Sequence, residues 1–142
     1  MLAPLAFLNV DLCVTVEPPH DALVAALSPA AFPLHPGDRG WLTFELAEPD
    51  DDADRAPDRC IARFLDLIET LPPAARAVWD RATVRELDIG VQSGPGAHAV
   101  AWTLPAPLLA RAAAAGAAIA LTVYGNHDDD ADRPALASPA GS

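Results

Sequence analysis

The sequence of 142 residues contains no lysine: all nine of its cations are arginine, set against 20 acids for a formal charge of −11. The missing lysine excludes a P-loop, whose lysine reaches the phosphates, and Schiff-base chemistry, which needs an amine nucleophile. The low and scattered positive charge argues against binding nucleic acid or an anionic membrane through phosphates. Cysteine is nearly absent as well. Cys13 and Cys60 are too few for a disulfide-stapled secreted scaffold, and both lie in apolar-patterned segments, where a free thiol behaves as a small hydrophobe. The most apolar run, residues 112–124, is short of the ~20 residues that span a bilayer. The N-terminus has no basic region, and Asp11 interrupts its apolar stretch, so no signal peptide is expected. These absences imply a reduced, soluble, cytoplasmic protein. An alanine count of 31, with abundant proline and arginine and no lysine, fits a GC-rich genome.

What is present is patterned. Residues 7–16 alternate, with Leu8, Val10, Leu12, Val14 and Val16 in one phase and polar groups in the other, which predicts a half-buried strand. Pro18 and Pro19 stop it, and Asp21 is placed to cap a short helix through Leu27. After a turn-rich stretch at Pro33, Pro36 and Gly37, the alternation of Leu42, Phe44 and Leu46 predicts a second strand. Residues 48–58 read as a solvated acidic loop. Cys60, Ile61, Phe64, Leu65, Ile68 and Leu71 then form one helical stripe. Pro72 and Pro73 end that helix and restart another to about residue 82, with Val78 and Trp79 inward. Leu87, Ile89 and Val91 give a third strand, and His98, Val100, Trp102 and Leu104 read as its hairpin partner across Ser93-Gly94-Pro95-Gly96. Pro107 opens a helix that Gly116 ends, and residues 117–124, apolar on both faces, read as a central strand covered on both sides or an alanine-tolerant helix contact. The expectation is one compact α+β domain over residues 1–125, with one mixed sheet of about five strands and three to four helices. An acidic, alanine- and proline-rich tail over 126–142 is expected to be disordered.

No catalytic constellation emerges. Asp50, Asp52, Asp54 and Asp58 fall at odd positions of a loop, which suggests a calcium site, but Arg55 and Ile61 stand where an EF-hand requires glycine and glutamate. His20, His35, His98 and His127 have no metal-ligand spacing. Ser93 lies between strands rather than on a nucleophile elbow. No metal and no cofactor is expected. The segment from His35 through Asp38 and Arg39 to Trp41 concentrates a turn, an acid, a base and an aromatic before a strand. These four residues, with Tyr124, are the candidate binding residues.

Taken in order, several pieces resemble a bacterial family known as domain of unknown function 4279. They are the opening strand and short helix, Pro36-Gly37-Asp38 leading to Trp41, the helix at 61–71, the strand at 87–91, and residues 108–124 closing on Thr122-Val123-Tyr124. The resemblance covers about residues 7–125, with an acidic insertion before the long helix. It implies an α+β fold and carries no established activity.

The reading is therefore a non-catalytic cytoplasmic module that contacts a protein partner, in its sharper form an immunity-type protein against a basic toxin. A ligand site or enzyme at residues 35–41 is the alternative. Charge counting sends the partner to the acidic loop. Residues 48–58 carry six acids and one arginine, and 128–133 carry four acids and one arginine. The remaining body holds 10 acids against 7 arginines, nearly balanced.

Overall fold

A computed structural model describes residues 3–34, 40–47, 55–96 and 99–125. Strand β1 (Ala6–Thr15) follows the alternation and is succeeded by α1 (Asp21–Leu27). Asp21 is the first helical residue; the cap position is His20, with no side-chain cap bond. Next come β2 (Ala31–Pro33) and β3 (Trp41–Leu46), then α2 (Pro57–Glu69). Pro57 and Asp58, expected at the end of the acidic loop, form the first turn of α2, where a proline's missing N–H costs nothing and a carboxylate meets the positive helix end. The rest of that loop, residues 48–54, lies outside the described residues, as do His35, Asp38, Arg39, His98 and the 126–142 tail. Pro73 sits in the first turn of α3 (Pro73–Asp80), which precedes β4 (Val84–Gln92), α4 (Ala106–Ala114) and β5 (Ala118–Tyr124).

The five strands form one mixed sheet in the order β2-β3-β1-β4-β5. All pairs are antiparallel except β4 with β5, which are parallel and joined by a crossover through α4. With four helices this is a compact α+β domain. Two expectations are corrected. Residues 99–104 are not a hairpin strand, because β4's open flank is taken by β5; they form an extended strap without regular structure. And β5 is not central but the last strand of the sheet.

The helices build the core against one face of the sheet. Val10, Leu12 and Val14 of β1, Leu42 and Phe44 of β3, and Leu87 of β4 meet Leu23, Ile61, Phe64, Leu65, Ile68 and Trp79 from the helices. The register makes this one face: Leu12 pairs with Phe44 on one side and Leu87 on the other. A bulge between Phe7 and Asn9 shifts the phase of β1, so that Phe7 joins Val91 on the helix side. Gly40 sits at φ +80, and a Cβ there would lie 2.3 Å from the Val16 carbonyl oxygen. Only glycine lets the chain turn into β3 at that distance.

Candidate functional site

Among the described residues no helix covers the opposite face of the sheet, and charge is sorted onto it. The polar phases of the strands line up there: Asn9, Asp11, Cys13 and Thr15 from β1, Thr43 and Glu45 from β3, Glu86 and Asp88 from β4. Asp11 pairs directly with Glu45 on one flank and Asp88 on the other, so three carboxylates share one rung. Like charges facing each other across strands are destabilising. Two local bonds hold the row: Asn9 Nδ2 donates to Asp11 Oδ1 at 3.1 Å, and Thr122 Oγ1 donates to Asp88 Oδ1 at 2.8 Å.

Six of the seven described arginines bond to carbonyls or to acids outside this row. Arg55 donates to the Leu8 carbonyl, Arg63 to Ala47 at 3.2 Å, Arg76 to Ile68 at 2.6 Å, Arg81 to Glu17 at 2.8 Å and Arg85 to Gly116 at 3.1 Å. Arg111 forks onto Asp66 and Glu69 at 2.7–2.9 Å, and holds the exposed Glu69 carboxyl below its usual range. Thus, among the described strand residues, the open face holds four acids and no base. The near-neutral body expected from charge counting is a sum over two unlike sides.

Electrostatics follow from the arrangement. Burial, then Glu45, then Asp88 push the Asp11 carboxyl from 3.8 to about 6. Burial, then Asp88, Asp11 and Glu86 raise the Cys13 thiol, a Thr43 hydrogen bond partly offsetting them. Cys60, buried on α2, is raised chiefly by burial. Neither cysteine has the depressed pKa of a reactive thiolate. Among the described residues no three His, Cys, Asp or Glu side chains are placed to hold a metal ion.

Aromatic side chains border the acids. Trp41, at the start of β3, is 69% exposed; Phe32 of β2 and Tyr124 of β5 are also exposed on this face. The structure does not bring Trp41 and Tyr124 into one site, however. Trp41 pairs with Thr15 at one end of β1, whereas Tyr124 pairs with Gln92 opposite Ala6 at the other. At ~3.3 Å per residue they stand roughly 30 Å apart. Tyr124 instead borders a cleft of about 360 Å³ at the β1 bulge, with Asn9, Asp11, Glu45, Arg55 and Arg63 on its walls.

Asp11, Glu45, Glu86 and Asp88 were not among the residues singled out from sequence. The signal was present: each is the acid in the polar phase of an alternating strand, and only the register joins them. No helix among the described residues is long and apolar enough to cross a membrane. No protein-family model, curated protein or solved structure matches the chain.

Proposed function

We propose that the chain is a non-catalytic protein-interaction module whose acidic sheet face receives a basic protein partner. The sorting of charge carries this reading: four acids and no base among the described strand residues of one face, bordered by the exposed rings of Trp41 and Phe32, with Arg55 and Arg63 only at the cleft on its margin and Arg76, Arg81, Arg85 and Arg111 bonded away from the row. Aromatic anchors supply contact area, and a single-sign field speeds encounter and rejects acidic partners. In its sharper form the module is an immunity-type protein of the bacterial cytoplasm that neutralises a basic toxin. Kinship with the domain of unknown function 4279 family is proposed alongside, supported by the order of strands and helices.

The test is surface plasmon resonance against a panel of folded basic proteins, including any toxin encoded beside the gene. A basic partner is expected to bind, to weaken as salt rises, and to lose about tenfold in affinity with Trp41→Ala or with Glu45→Gln combined with Asp88→Asn. Absence of binding at low salt, or binding indifferent to both variants, overturns the reading. The small-ligand alternative has its own observation, the cleft that sets Arg55 and Arg63 near Asp11. A carboxylate metabolite that raises the melting temperature of the wild type, but not of Arg63→Ala, would favour it instead.

A further inference from the structure

The two edges of the sheet are guarded very differently. At one edge, β2 has three residues and ends in Pro33, whose missing N–H closes the ladder. At the other, β5 runs seven residues with no charge, no proline and no bulge. Among the described residues its outward backbone groups have no backbone partner. Leu121 is 65% and Val123 56% exposed, and Tyr124 is exposed beside them. On the helix side Leu121 and Val123 continue into a groove of about 500 Å³ lined by apolar residues, Val100 and Trp102 of the strap among them. Globular proteins protect long apolar edges or use them.

We propose that β5 pairs antiparallel with β5 of a second copy, joining two sheets into one of ten strands. The register that follows from the sequence places Leu121 on the two-fold axis. Ile119 then lies opposite Val123 of the second copy above the groove, and on the open face Tyr124 lies opposite Ala118, a large side chain meeting a small one at both ends. Charge selects this edge for self-association. A chain of charge −11 repels its own copy through its acidic face, whereas β5 meets its counterpart without a like-charge contact. Area agrees: the exposed parts of Val100, Trp102, Leu121, Val123 and Tyr124 come to roughly 500 Å² per copy. With the edge backbone, the surface available on the two copies together is about the ~1,000 Å² that a specific interface requires. The symmetry leaves both acidic faces on the same side of the joined sheet. This assembly goes beyond the proposed partner contact and does not depend on it.

Sedimentation velocity on the full chain, over a hundredfold range of concentration, tests the pairing. A monomer–dimer equilibrium is expected that tightens as salt rises, because salt screens the repulsion between two acidic copies; binding of a basic partner shifts the opposite way. Leu121→Lys sets two ammonium groups against each other at the axis and should weaken the dimer by about tenfold or more. Its circular dichroism should be unchanged, since the side chain is largely in solvent. Oxidation of Leu121→Cys should yield a disulfide-linked dimer that wild type under the same treatment does not form. A monomer at every concentration in high salt overturns the proposal. So does a dimer that Leu121→Lys leaves intact, or Leu121→Cys that does not cross-link.

Discussion

Trp79→Ala is expected to remove about 3–5 kcal/mol of stability, the range for truncating a large buried aromatic side chain. Trp79 is 0% exposed and is the largest fully buried side chain of the domain. Its indole also joins elements. Nε1 donates to the carbonyl of Ala115 at 2.9 Å, which ties α3 to the turn between α4 and β5. The Arg85 guanidinium lies 5.9 Å from the ring centroid and donates to the Trp79 carbonyl at 3.1 Å, adding β4 to the same junction. Truncation leaves a cavity where α3 meets the sheet and strips the Ala115 carbonyl of its donor. Trp79→Phe separates these contributions: it keeps most of the apolar bulk, loses the hydrogen bond, and should cost about 1–3 kcal/mol. Against a total stability of ~5–15 kcal/mol, Trp79→Ala should lower the urea midpoint steeply. A midpoint within error of wild type would show that the junction is held by other contacts.

How much of this was legible beforehand varies with the range of the physics involved. The period-two alternation of β1, the helical stripe of Cys60, Ile61, Phe64, Leu65 and Ile68, and the breaks at Pro72–Pro73 and Gly116 are local, and the elements formed there. The count of five strands was met by a different set. Val100, Trp102 and Leu104 alternate as a strand would, but pairing is a two-body property, and the flank of β4 they would occupy belongs to β5. The three residues of β2 are too few to carry a period. Strand β5 is apolar in both phases, the mark of a doubly covered strand, yet it lies at the edge; that mismatch between pattern and position is what marks its apolar surface for contact.

The candidate site shows the same division. The expected cluster around Trp41 and Tyr124 could not survive a register that puts them at opposite ends of β1, and His35, Asp38 and Arg39 lie outside the described residues. Subtracting the acidic segments from the total charge found a balanced remainder, because summation discards direction. Direction was encoded nonetheless. Asp11, Glu45, Glu86 and Asp88 each occupy the polar phase of their strand, while Arg85 falls in the apolar phase of β4 and turns to the helix side. Sorting charges by strand phase rather than by segment recovers the acidic face from sequence.

The acidic row has a thermodynamic signature that Asp11→Asn exposes. Folding raises the Asp11 carboxyl from 3.8 to about 6, through burial first, then Glu45 and Asp88. Between those values the folded chain retains a proton that the unfolded chain has released, so the Asp11 contribution to stability falls as pH rises through that window and is constant above it. Asp11 is only half-buried and solvent screens its neighbours, so the loss at neutral pH is on the order of 2 kcal/mol. An asparagine keeps the size and an oxygen to accept from Asn9, and removes the charge. The variant should therefore match wild type near pH 3.5 and exceed it by about 2 kcal/mol at pH 7.5, with the gap opening between pH 4 and 6. Thermal unfolding at a series of pH values measures it directly. Glu69, whose carboxyl is set by Arg111 rather than by the row, keeps the same surroundings in both proteins and cancels in the difference. A gap independent of pH would mean that Asp11 acts through shape rather than charge, and a gap of opposite sign would mean that the row is held together by a bound cation. A rise at neutral pH joined to weaker capture of a basic partner would show stability given up for recognition, the trade expected of a face where like charges are held side by side.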